Sequence, residues 1–133
     1  MLKVLPIPTK EQQQELCARC AIPFEADLLA YQATVDDVFV GMCQFKLSPE
    51  GGILYHLAPL AGTSTDNKAL FVMGRAALNF IDLCGIHTAF YDGDEALPGA
   101  QLLHAVGFRK NEAGRLEMDL TGFFTSPCQH CKD

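Results

Sequence analysis

The sequence predicts an α/β domain built on a mixed, mostly antiparallel sheet flanked by helices, and three observations carry that expectation. Between residues 28 and 60, three runs rich in strand formers follow one another across tight turns, the pattern of an antiparallel meander. After them comes one long stretch, Asn67 to Cys84, whose apolar residues recur at helical spacing. A short strand, His87 to Tyr91, follows that helix. A strand–helix–strand unit joins parallel neighbours by a right-handed crossover, so Ile53–Leu60 and His87–Tyr91 are expected side by side and parallel.

Each element has a local reason. Leu2 to Ile7 reads as a strand. Thr9 is placed to cap the helix that follows, with Gln12 as its capping-box partner. That helix runs to about Ala21 and stops before Pro23, because the residue before proline avoids the helical region. Leu28–Val35 and Val38–Leu47 are strands joined at Asp36-Asp37. Ser48 to Gly52 is the next turn, and Ile53–Leu60 returns as the third strand of the meander. In the long helix, Leu70, Met73, Ala77, Phe80, Ile81 and Cys84 share one face, while Lys68, Arg75, Asn79 and Asp82 form the polar stripe. Gly85 ends it. Ala96 to Val106 reads as a last helix, weakened by Pro98 and Gly99 and closed by Gly107. Arg109 to Leu120 suggests a hairpin turning at Asn111 to Gly114, and residues 123–133 a C-terminal tail on a domain spanning 1–133.

Composition narrows the function classes. The 133 residues are 49% hydrophobic and 20% charged, as in globular chains. Net charge is −6, with ten Lys and Arg in no cluster, so the positive footprint that nucleic-acid binding requires is missing. No apolar run approaches the roughly 20 residues of a membrane helix. The start lacks the apolar region of a signal peptide, which points to the cytoplasm and to reduced thiols.

From Val40 to Phe108 the order of elements and several short motifs resemble the GNAT N-acetyltransferases. Val40-Gly41 opens a strand like the one preceding that family's cofactor strand. Leu57-Ala58-Pro59 looks like the hydrophobic-x-Pro that ends the acetyl-CoA strand. The helix from Asn67 is similar to the pyrophosphate helix, and Val106-Gly107-Phe108 resembles the closing Leu-Gly-Phe. The resemblance implies a GNAT-like acyl-CoA N-acyltransferase fold, and acetyl transfer from acetyl-CoA to a small amine. It implies that the strand containing Leu57, Ala58 and Leu60 pairs through its backbone with the pantetheine arm, and that the two parallel strands splay apart near Leu60. One strand N–H would stabilise the oxyanion, and the loop after it would present amides to the pyrophosphate, aided by the helix N-terminus.

The chain departs from that pattern. The family loop reads Arg or Gln, two residues, Gly, one residue, then Gly or Ala; those positions here fall on Gly62, Thr65 and Asn67. Asp66 adds a negative charge. Ser64, Thr65 and Asn67 retain hydrogen-bonding groups, and Lys68 is adjacent. Two readings stand: a degenerate cofactor loop, with acetyl-CoA binding weak or lost, or a set of residues that only cap the helix. The tyrosine that many members use to protonate the thiolate corresponds to Leu103, with His104 turned about 100° away. Tyr55 and His56 are the candidate general bases, of which strand alternation lets one face the reacting centre; a half-buried His56 bonded to backbone is the structural alternative. Asp92, Asp94 and Glu95 would meet a cationic amine or form a solvated acidic turn.

Two Cys-x-x-Cys pairs, Cys17/Cys20 and Cys128/Cys131, offer four thiolates for a structural zinc, with His130 as a further ligand. The alternative for Cys17 and Cys20 is core packing on the first helix. Cys43 and Cys84 fit the strand and helix core. Beside the acetyltransferase reading stand a non-catalytic GNAT-like binding domain that has lost acetyl-CoA and a metal-binding protein on the same scaffold. A homodimer is compatible with each.

Overall fold

A computed structural model describes residues 1–123 of the chain. Among these, seven strands form one sheet: β1 (Leu2–Pro6), β2 (Leu29–Val35), β3 (Val38–Ser48), β4 (Gly51–Pro59), β5 (Thr88–Tyr91), β6 (Arg109–Lys110) and β7 (Leu116–Asp119), in the order β1-β2-β3-β4-β5-β7-β6. All neighbours are antiparallel except β4 and β5, which are parallel. Helix α1 (Lys10–Arg19) links β1 to β2, and α2 (Asn67–Leu83) makes the crossover.

Local chemistry sets the boundaries. The Thr9 side chain accepts the Gln12 N–H at 3.1 Å and starts α1. Asp36 and Asp37 both have positive φ, 51° and 68°, the backbone that a two-residue hairpin between twisted strands needs. Asp66 caps α2 by accepting the Ala69 N–H at 3.0 Å.

The sheet buries both faces. On one, Leu70, Met73, Ala77 and Ile81 of α2 pack with Phe45, Leu54 and Leu57 of β3 and β4. On the other, Leu16 and Cys17 of α1 and Cys20, which caps its C-terminus, pack with Phe39, Met42 and Ala58. At about 25 cal/mol per Å² of apolar surface, two such interfaces supply most of the favourable free energy of folding.

Three expectations need correction. The stretch Ala96 to Val106 is not one helix: a 3₁₀ turn, Pro98–Leu102, leads into a single α turn, α3 (Leu103–Val106). Proline and glycine near its start keep the regular ladder from forming earlier. Cys84 is exposed rather than packed in the core. Asp82, placed on the polar stripe, is buried, and its carboxylate lies 2.6 Å from Nδ1 of His87; a buried carboxylate keeps such a partner. Among the described residues, no helix is long and apolar enough to cross a membrane.

Arg115, just before β7, ties the edge of the sheet together. Its guanidinium donates twice to Asp92, at 2.8 and 2.7 Å, reaches Glu50 at 3.1 and 3.3 Å, and lies 3.9 Å from the centre of the Phe90 ring. The two carboxylates raise the Arg115 pKa further above its ordinary value.

Candidate functional site

The parallel pair β4–β5 is short. Gly52, Ile53 and Leu54 pair with Ala89, Phe90 and Tyr91, and beyond them the strands part. At that point β4 carries a bulge: Gln44 faces His56 and Phe45 faces Leu54, so Tyr55 is the extra residue. Leu54 and Leu57 both enter the α2 core. Tyr55 and His56 consequently turn to the same side, with ring centroids 6.5 Å apart. Strict alternation assigns them to opposite faces; the bulge removes that restriction.

The gap between the parted strands is occupied by the chain itself. Residues 92–102, here called the strap, run along the free edge of β4. The Asp92 N–H donates to the Leu54 carbonyl at 3.0 Å. A methyl group on Gly93 would sit 1.5 Å from the Tyr55 carbonyl oxygen, and one on Gly99 1.8 Å from that of Leu57. Only the absence of a Cβ permits such an approach. Leu97 packs against the α1 side of the sheet, Ala100 and Leu102 against the α2 side. The Tyr91 hydroxyl donates to the Asp94 carbonyl at 3.0 Å, and burial raises its pKa.

Behind Tyr55 and His56 lies a buried amide network. Gln44 is fully buried, and its Nε2 donates to the Pro23 carbonyl at 2.9 Å and lies 2.9 Å from His56 Nδ1. Its Oε1 accepts from Gln13 Nε2 at 2.8 Å and Cys17 Sγ at 3.3 Å. Burial lowers the His56 pKa, opposed by the Glu25 and Asp94 carboxylates. Lys46 stands at the edge, with Nζ 5.7 Å from the Tyr55 ring centre.

The loop leading into α2 is shaped by its own cap. Thr63 donates to the Leu60 carbonyl at 2.9 Å, and the Asp66 carboxylate takes the Ala69 amide. An anion arriving at this helix end would meet that carboxylate, which already uses an end amide and the positive end of the dipole. Gly62, Ser64, Asn67 and Lys68 are exposed, and Thr65 is half-buried. A cavity of about 650 Å³ lies beside the loop, lined by Val38 to Val40, Leu60 and Thr63 to Asn67. It opens on the β3 side; neither β5 nor the strap lines it.

No protein-family model matches the chain, and no curated protein matches its sequence. Solved structures do. An IAA acetyltransferase from Bacillus cereus aligns with TM-score 0.69 and 16% identity, over 90% of this chain and 100% of that one. The ribosomal-protein-S18-alanine N-acetyltransferase from Escherichia coli aligns with TM-score 0.66 and 12% identity, over 90% and 94%. The PaiA N-acetyltransferase from Thermoplasma acidophilum, solved with coenzyme A, gives 0.64 and 13%, over 90% and 99%. The chain has the GNAT acetyltransferase fold.

Within the GNAT frame, β4 is the expected cofactor strand and the loop 60–67 the expected pyrophosphate loop. The structure brings Tyr55 and His56 together on one face, and puts Leu57 and Ala58 on opposite sides of the sheet, both buried. Leu103, the position expected for the tyrosine, is buried in the core and carries no acidic group, and His104 is exposed. Of the acidic turn, Asp92 is held by Arg115, Glu95 lies 3.5 Å from Lys110, and Asp94 accepts the Ala96 N–H. Only Asp94 bears on His56. Sequence reasoning missed Gln13, Gln44 and Glu25. Gln44 was the findable one, being the lone amide in an otherwise apolar strand run.

The zinc expectation is not supported. Among the described residues there is no group of three or more metal-binding side chains. Cys17 and Cys20 are core residues whose thiols burial pushes up to about 11 and about 12, far from the thiolate form that zinc takes. Cys17 faces Gln44 instead. Cys128, His130 and Cys131 lie outside the described residues.

Proposed function

We propose that this chain is a non-catalytic GNAT-fold binding domain that has lost acetyl-CoA and takes a small cationic amine on the Tyr55–His56 face. One observation carries the reading. The free edge of β4, along which a pantetheine arm would pair, is covered by the strap, with Gly99 set directly on the Leu57 carbonyl. The Asp66 cap and the absence of a basic residue between Leu60 and Asn67 support it, because pyrophosphate would meet a carboxylate and no cation in that loop. One charge-assisted contact to phosphate is worth about 1.5–3 kcal/mol, so its loss weakens binding about tenfold or more. For the amine, the carboxylates of Glu25 and Asp94 are the anionic groups that act on His56, against the larger effect of burial, which lowers its pKa.

The test is calorimetry of the whole chain with acetyl-CoA. No binding heat up to millimolar cofactor is expected; micromolar binding, or acetylation of an added amine, would overturn the reading. A second reading, a GNAT N-acetyltransferase acting on a small amine, is favoured by the retained parting of β4 and β5 and by the bulge at Tyr55. It requires the strap to leave the β4 edge when acetyl-CoA arrives, and the same titration separates the two.

A further inference from the structure

The buried network behind His56 has a direction, and the direction is fixed at its far end. Lys10 Nζ can only donate. It gives one hydrogen bond to Gln13 Oε1 at 3.0 Å and another to the Leu28 carbonyl at 2.5 Å. That assigns the Gln13 amide: its oxygen faces Lys10 and its nitrogen faces the other way, toward the Leu28 carbonyl at 3.3 Å and Gln44 Oε1 at 2.8 Å. Gln44 is assigned in turn. Its oxygen receives Gln13 Nε2 and Cys17 Sγ, and its nitrogen faces the Pro23 carbonyl and His56 Nδ1, each at 2.9 Å. Reversing Gln44 would put two donors face to face at Gln13 and two acceptors face to face at Pro23. Side-chain amide and imidazole assignments rest on networks of this kind.

The consequence falls on His56. Its Nδ1 receives a hydrogen bond, so it carries no proton, and the neutral ring holds its proton on Nε2. Among the described residues the His56 ring makes no other hydrogen bond, and no fully buried side-chain N or O lacks a partner. Nε2 is therefore not fully enclosed: His56 is buried, 7% exposed, and this atom lies at the bottom of a narrow opening beside Tyr55. A group that offers N–H and has no free lone pair cannot take a proton from an attacking amine, so the general-base role raised from the sequence does not fit it.

We infer that His56 is a fixed hydrogen-bond donor whose proton Lys10, Gln13 and Gln44 hold on Nε2, and that the ligand of this face carries a hydrogen-bond acceptor beside its cationic nitrogen. Gln44 is the positioning residue. The ligand half rests on the amine reading above; the tautomer half does not. The ligand class that follows is the small amino alcohol or amino acid rather than the plain alkylamine. The ligand's oxygen would accept from the His56 Nε2–H, the ring atom that Gln44 does not engage.

Nitrogen-15 spectra of the histidine rings in the free protein test the first half, with His56→Gln to assign the signal. The expected pattern is a protonated Nε2 and an unprotonated Nδ1 at neutral pH. Gln44→Glu keeps the shape and replaces the donor by an acceptor, so the proton should move to Nδ1. A wild-type ring protonated on Nδ1, or a Gln44→Glu spectrum identical to wild type, would overturn the assignment. Titration with ethanolamine and with ethylamine tests the second half. Ethanolamine should bind at least about tenfold tighter, because a site built around a hydrogen bond rejects the analogue lacking it. Equal affinity would overturn the acceptor requirement. Binding of neither amine, with the expected ring spectrum, would overturn the amine reading and leave the tautomer standing.

Discussion

Gly99→Ala puts the covering of β4 under direct strain. The added methyl would lie 1.8 Å from the Leu57 carbonyl oxygen and 3.4 Å from Leu70 Cδ1. Ordinary contact begins at 3.4 Å, so the methyl intrudes by about 1.6 Å on a backbone atom of a central strand. That oxygen cannot rotate away as a side chain would, and Leu70 closes the other side. The strap must lift. Overpacking of this kind costs about 1–3 kcal/mol, and a rigid backbone partner places Gly99 near the upper end. At roughly 3–5 °C per kcal/mol for a chain of this size, thermal unfolding should fall by about 10 °C. Amide hydrogen exchange should rise across 93–102 while α2 and β3 stay protected. A melting temperature within a degree or two of wild type, with unchanged exchange in the strap, would refute the packing on which the loss of acetyl-CoA is argued.

Three further outcomes are expected. Gly74→Ala should stabilise the chain by about 0.8–1 kcal/mol, the usual helix-interior difference, because its methyl would meet Val106 and Leu57 at 3.5 and 3.7 Å; urea denaturation reads it, and a loss of stability would show that α2 packs closer than described. Asp66→Ala should cost about 1 kcal/mol by removing the α2 cap, and calorimetry should show no gain in acetyl-CoA affinity; a gain would mean that the loop does meet pyrophosphate. Among the described thiols, Cys84 should react first with a thiol reagent at pH 8, since burial holds Cys17, Cys20 and Cys43 at about 11, about 12 and about 12. Modification mapped by mass spectrometry checks this, and early labelling of Cys17 would contradict its burial.

The layered fold was legible because it rests on period and punctuation. Helical spacing from Leu70 to Ile81, the aspartate pair at the first hairpin and the capping Thr9 each act locally, and each is found where those rules put it. The bulge at Tyr55 was not legible. Nothing in Leu54-Tyr55-His56-Leu57 distinguishes a bulged strand from a regular one until Gln44 and Phe45 are known to lie opposite. The strap was missed for a related reason. Gly93 and Gly99 read as turn punctuation, and their other use, contact with a strand some 40 residues earlier, depends on tertiary structure. Cys84 and Asp82 exchanged roles because a helix end is where a simple apolar stripe stops matching the surface it covers. The amide chain from Lys10 to His56 joins residues of α1, β3 and β4, which no single sequence window contains.

The Arg115 clamp has a mechanical consequence for the strap. By gripping Asp92 with two bonds while bracing on Glu50 and Phe90, it moors the segment where it leaves β5. Leu103 and Val106, sunk in the core, moor the other end. A segment held at both ends does not swing like a hinged door; it bows. Its middle, around Glu95 to Pro98, lies farthest from both moorings, and there the packing of Leu97 and the Glu95–Lys110 pair are what hold it down. Whatever displaced it would have to enter sideways and be slender, and would be resisted most strongly next to Asp92, where the opening between β4 and β5 begins.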